Sequence, residues 1–225
     1  MALGKEKDGG NYITFKPSIG RLAIKSDQSD PEAKPRTYKN SETNEEVTVY
    51  EQRYQFISGK IVGLSVDTTG DYGSQLKIVL RDGETDYTLP VPLGKSWGTK
   101  VAETIPNLKL DEEVLFTAYG DFTTDDGKEV RAGLSVKQND QRIQSAFNYK
   151  EGEEWVRKDG YPEYPSQDAI PDKTKNKSKF TKFWADYYFS VEEFLIEWFN
   201  TNMTIEYTAP VREETKDDNK EEVPF

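Results

Sequence analysis

Two stretches of the chain have the residue types of catalytic or metal-binding machinery. Gly94-Lys95-Ser96 follows a β-like run and opens a possible helix, the context of a phosphate-binding loop. The glycine such a loop needs upstream is replaced by Leu89, and Pro90 and Pro92 remove backbone N–H groups that would cradle a phosphate. Asp121, Asp125, Asp126 and Gly127 are calcium-type residues without the alternate-residue spacing of a calcium loop, and a hairpin turn accounts for them. The chain has no His and no Cys. Thiolate or imidazole zinc sites, cysteine nucleophiles, Ser-His-Asp triads and histidine bases are therefore excluded. No catalysis, metal or cofactor is expected.

The chemistry that remains is stacking and charge. With 13 Tyr, 11 Phe and 30 Lys or Arg, the chain can stack flat rings and track phosphates. The solvent-side candidates on the β-like segments are Arg53, Tyr54, Lys60, Lys77, Arg81, Tyr119, Phe122, Arg131 and Lys137, with Trp97 near a loop that could close over them. Arg131, Ser135 and Lys137 have the parity opposite to Val130, Leu134 and Val136, which puts two cations on one face of a strand. The competing explanation for any one of them is a core aromatic or a solvated charge.

The elements that must position these residues occupy 47–140. Val47 to Val66 is a long β-rich run with Gly59 and Gly63 inside it, where bulges or bends belong. Leu76, Ile78 and Leu80 alternate with polar residues, Asp82-Gly83 is a hairpin turn, and Tyr87, Leu89 and Val91 return. Gly94 to Ile105 predicts a short helix stopped by Pro106, followed by strands at Val114–Phe122 and Val130–Val136 with a turn at Asp126-Gly127. The expected fold is mainly β: a five-stranded OB-like barrel with its helix between strands three and four. Residues 1–46 read as an N-terminal arm and loop, and 141–210 as an extension. That extension carries aromatics from Phe180 to Phe199 at three- and four-residue steps, the period of a helix. Ser190 with Glu193 has capping-box spacing, which predicts two consecutive helices. The aromatic stripe is expected to pack against the barrel or a second subunit. Lys173, Lys175, Lys177, Lys179 and Lys182 either contact phosphates or form a solvated linker.

Residues 211–225 read as a disordered acidic tail. The net charge is −11, and without residues 212–225 there are still 27 bases against 35 acids. A polyanion-binding body must therefore gather its bases on one face. No segment has the length and apolarity of a membrane span, no leader-like apolar stretch opens the chain, and the absence of Cys fits a reducing compartment. A cytoplasmic location is expected. Asn176-Lys177-Ser178 and Asn202-Met203-Thr204 would be glycosylation acceptors only in a secreted chain.

The tail ends KDDNKEEVPF. Asp217, Asp218, Glu221, Glu222, Val223, Pro224 and Phe225 resemble the C-terminal tip of bacterial single-stranded DNA-binding proteins, in which acids precede an apolar-Pro-Phe ending. Acidic tails closing on an aromatic also occur in the phage proteins of this kind. The resemblance implies sequence-independent binding of single-stranded DNA in replication, recombination or repair, and a tip that docks on polymerase, primase or helicase. It covers the last ten residues by motif and the barrel by topology only. The arm, the aromatic helix and the missing Gly/Gln-rich linker favour a phage member in the host cytoplasm and leave the family's tetramer open, with a homo-oligomer as one alternative. A rival reading is a virion structural or carbohydrate-binding β-module.

Overall fold

The computed structural model describes residues 11–40, 43–70, 73–127, 129–158 and 160–208. Ten strands form one large sheet: β1 (Asn11–Lys16), β2 (Arg21–Ser26), β3 (Lys34–Lys39), β4 (Glu46–Tyr54), β5 (Phe56–Asp67), β6 (Gln75–Asp82), β7 (Thr85–Pro92), β8 (Glu113–Tyr119), β11 (Gly133–Gln138) and β12 (Gln141–Arg142). Their spatial order is β12-β11-β8-β5-β6-β7-β1-β2-β4-β3, antiparallel except between β1 and β7. Two small hairpins stand apart, β9 (Phe122–Thr123) with β10 (Glu129–Val130), and β13 (Asn148–Glu151) with β14 (Glu154–Arg157). The α-helices among the described residues are α1 (Ser96–Ala102) and α2 (Lys177–Asn202).

Period-two alternation decides which side of the sheet is core. Leu76, Ile78 and Leu80 of β6 are fully buried, while Lys77, Val79 and Arg81, alternating with them, point away. Leu89 and Val91 do the same on β7, Val114, Phe116 and Ala118 on β8, and Ile13 and Phe15 on β1. In β5 a bulge between Ile61 and Gly63 skips Val62 and flips the parity, so that Leu64 returns to the core. The core side is covered by α1 and by the second half of α2, whose Val191, Leu195 and Phe199 recur every fourth residue and are buried. Phe147 joins them, stacked on Tyr161 and edge-on to Phe194 and Trp198. Gly98 lets α1 sit against β7: a β-carbon there would lie 2.0 Å from the Pro92 carbonyl oxygen.

Several expectations need correction. The sheet has ten strands, and among the described residues no ladder closes it into a barrel. The short helix falls between the seventh and eighth strands of the chain, not the third and fourth. The segment read as an arm and loop supplies β1, β2 and β3. β3 was illegible because none of its side chains is buried; it is an edge strand held by its ladder to β4. The run 47–66 is two strands that diverge at Gln55. There the Ala118 N–H donates to the Gln55 carbonyl at 2.7 Å, and the Gln55 amide donates back to the Ala118 carbonyl. The first hairpin turn is centred on Gly83-Glu84, with Gly83 alone at positive φ (59°). The two-residue turn with both φ positive is Asn139-Asp140, at 51° and 62°. α2 is one helix of 26 residues, not two, since the Ser190 hydroxyl donates to the Tyr187 carbonyl (2.8 Å) instead of capping a new start.

Candidate nucleic-acid interface

The register places the outward side chains of successive strands in rows. Glu113 of β8, Lys60 of β5, Arg81 of β6 and Asp86 of β7 form one row. Ser65, Lys77 and Pro90 form another, and between the two lie Gly63, Val79, Thr88 and Tyr12 of β1. On the other flank, Lys137 of β11 lies beside Leu115 and Ser58, and Tyr119 covers Gly133. Lys60, Lys77, Arg81, Tyr119 and Lys137 therefore share one face of the sheet, opposite the core side. Arg53 is on the same face at the far end, beside Ala23.

The charges on this face differ in how free they are. Lys77 is 2.6 Å from Asp67, whose carboxyl is held far below the usual range by hydrogen bonds from Lys77 and Thr69. The same contact pushes the Lys77 ammonium up. Arg81 forms a two-pronged pair with Asp86, Nε to Oδ1 at 2.8 Å and Nη2 to Oδ2 at 2.9 Å, which lowers the Asp86 carboxyl. Lys60 and Lys137 have no ion pair among the described residues. These two are the cations that a phosphate can recruit without displacing a protein acid.

A strap of chain crosses the same face. After α2, Ile205 pairs with Leu64 on the open edge of β5 through two hydrogen bonds of 3.0 and 2.9 Å. The Tyr207 side chain then lies over Gly63, and its hydroxyl donates to Asp86 at 2.8 Å. Gly63 is needed here, because a β-carbon would come within 2.7 Å of the Tyr207 β-carbon. The Arg81 guanidinium also donates to the Thr208 carbonyl at 3.4 Å.

The remaining predicted site residues lie elsewhere. Tyr54 has core-side parity, opposite Leu22, and lines an apolar groove with Ile13, Ile24, Phe56 and Tyr87. Trp97 is on α1, packed edge-on to Phe15 with centroids 4.9 Å apart, so it supports the core rather than closing a loop. Phe122 is half-exposed on β9 and meets Tyr119 at 6.1 Å. Arg131 sits just after β10, and its cationic end is taken up by Asp121 (3.4 Å) and Glu129 (3.2 Å). Asp217, Asp218, Glu221, Glu222, Val223, Pro224 and Phe225 lie outside the described residues.

No family model, curated protein or solved structure matches the chain.

The sequence reading missed Tyr12, which is 53 % exposed and stands on the outward face beside Lys77. It also missed Lys16, Lys25, Lys34 and Arg36, which continue that face across β1, β2 and β3. The alternation of Lys34, Arg36 and Tyr38 was the available signal, three ligand-capable side chains at steps of two. Two prolines and many charges around it read as a loop instead.

Proposed function

We propose that this protein binds single-stranded DNA without sequence preference, on the outward face of its sheet. The observation that carries the reading is the face on which Lys60, Lys77, Arg81 and Lys137 lie with Tyr12 and Tyr119 on either side of the Ile205–Tyr207 strap, while both helices cover the opposite side. Rings there can stack on bases and cations can follow phosphates, and neither contact needs a particular base. A twisted sheet face is wide enough for a single strand and offers no shape match to a regular duplex groove.

The strand order β11-β8-β5-β6-β7 supports an OB-like centre within the larger sheet. Of these five, β5, β6 and β7 precede α1 and β8 and β11 follow it. The four strands β1 to β4 would then be an extension that prolongs the binding face. The segment Asp217–Phe225 would recruit replication enzymes: its acids are attracted to a basic partner at long range, and Pro224-Phe225 offers a stiff aromatic anchor.

Fluorescence anisotropy of labelled oligo(dT) titrated with the full chain tests the reading, with duplex DNA and a panel of oligosaccharides as competitors. Binding that resists duplex and sugar competition and weakens steeply with salt is the expected result. Absence of oligo(dT) binding at low salt, or displacement by a sugar, overturns it.

A further inference from the structure

β4 carries a glutamate where its face is otherwise basic. Glu51 points outward from the middle of the strand, yet the residue is only 3 % exposed. What covers it is charge. The Arg36 Nε donates to Glu51 Oε1 at 2.8 Å, Lys16 Nζ lies 3.8 Å from the same oxygen, and Arg53 Nε lies 4.0 Å from Oε2. Lys25 of β2 and Lys34 of β3 flank Glu51 directly in the ladder, and Arg21 is paired with Lys16. The outward positions of these four strands are residues 12, 14, 16, 21, 23, 25, 34, 36, 38, 47, 49, 51 and 53, read from the register. They hold six cations and one acid. On the central strands, by contrast, Lys77 and Arg81 are paired with Asp67 and Asp86, and Glu113 stands across the ladder from Lys60 without an ion pair among the described residues.

A buried carboxylate is retained when cations repay its desolvation, and one suffices for charge balance. Here three converge, so the surplus repels itself. Lys16 reports this: burial lowers its pKa most, and the nearby Arg36 lowers it further, against the pull of Glu51. The hydrogen bonding is also incomplete. Glu51 Oε2 and Arg53 Nε are buried and have no hydrogen-bond partner among the described residues. The Arg53 Nη2 donates to the Pro35 carbonyl at 3.3 Å. Arg36 is held from its other side by the Tyr38 ring, 4.9 Å from the guanidinium carbon.

We propose that β1, β2, β3 and β4 form a phosphate-binding site organised by Glu51, which takes the phosphodiester backbone of the strand bound on the central face. Glu51 fixes Arg36, Arg53 and Lys16 in one cluster, and a phosphate supplies the second anion that the cluster lacks. Lys25 and Lys34 border the site and give the strand its path from Tyr12 toward Tyr38. This site rests on the single-stranded DNA reading for its ligand but not for its existence.

The test uses the full chain carrying Lys25→Ala and Lys34→Ala together. Both residues are exposed and free of ion pairs among the described residues, so folding is preserved. Binding to oligo(dT) is expected to weaken on the order of tenfold or more at low salt, and the log–log salt slope to flatten by about 1.4. Binding of inorganic tripolyphosphate, measured by calorimetry, should weaken in parallel. Glu51→Gln, which removes the acid from these outward positions, should tighten both ligands, whereas a merely structural Glu51 would lower the melting temperature and leave the affinities unchanged. Wild-type protein that binds oligo(dT) while the double variant keeps its affinity and slope overturns the site and spares the function. Wild-type protein that ignores oligo(dT) but loses tripolyphosphate in the double variant overturns the function and spares the site.

Discussion

Replacing Lys60 and Lys137 together by alanine isolates the free charge of the central face. Both are exposed strand residues, and neither is committed to a protein acid among the described residues. Each should therefore neutralise one phosphate outright, while Lys77 and Arg81 must first loosen from Asp67 and Asp86. For single strands each phosphate contact contributes about 0.7 to the log–log dependence of affinity on salt, so the double variant should flatten the slope by about 1.4. Between about 50 and about 200 mM salt, that difference makes the wild-type advantage shrink about sevenfold. Stability should stay within about 0.5 kcal/mol, since no buried contact is lost. The assay is oligo(dT) anisotropy over a salt series, with the denaturation midpoint measured on the same samples. A slope equal to that of the wild type, at unchanged stability, would refute the assignment of these lysines to the interface. Arg131→Ala is the internal control: its guanidinium already serves Asp121 and Glu129, so its effect on the slope should be smaller.

Phe147→Ala should cost about 3–5 kcal/mol in chemical denaturation, because its fully buried ring joins Tyr161 to Phe194 and Trp198 of α2; a loss below about 1 kcal/mol would mean that α2 is not packed on the sheet body. Glu103 accepts a hydrogen bond from the Tyr161 hydroxyl, but burial pushes its pKa above the ordinary 4.5. The folded state thus holds that proton more tightly than the unfolded state, and stability falls as pH rises from 4.5 through the raised value. Glu103→Gln should accordingly raise the melting temperature at neutral pH and give no gain below pH 4.5, and equal melting temperatures at neutral pH would contradict the burial argument. Deleting residues 212–225 removes six acids and three bases; it should leave the fold intact and strengthen oligo(dT) binding at low salt, and weaker binding would show that the tail does not compete for the face. Removing Phe225 alone should leave DNA affinity unchanged and abolish capture of a replication enzyme by the tail, as read in a pull-down.

Legibility followed burial. β6 and β7 were readable because Leu76, Ile78, Leu80, Leu89 and Val91 all bury one side of an alternating pattern. The same alternation correctly separated Lys77 and Arg81 from the core. β3 buries nothing, so its sequence carries only charges, Pro35 and a tyrosine, and its strand character arises from the β4 ladder. The wing cations were missed with it. Tyr54 was misplaced because the divergence at Gln55 resets the parity of β4 against β5, a long-range effect of the Ala118 contact. Trp97 sits in a short helix whose packing against Phe15 depends on a glycine fitting under Pro92, which no local pattern encodes. The strap at Ile205–Tyr207 follows the last helix with no apolar periodicity; its anchor is an open edge of β5 left free when β8 ends.

Hydroxyl-radical footprinting of the full chain, free and saturated with oligo(dT), asks directly whether the outward face holds the strand. Tyr12 and Tyr119 should lose reactivity on DNA addition, while Trp155 and Phe189, exposed on a separate hairpin and on α2, should keep theirs. Unchanged reactivity at Tyr12 and Tyr119 under saturating oligo(dT), or protection confined to Phe189 and its neighbours on α2, would contradict the assignment of that face to DNA.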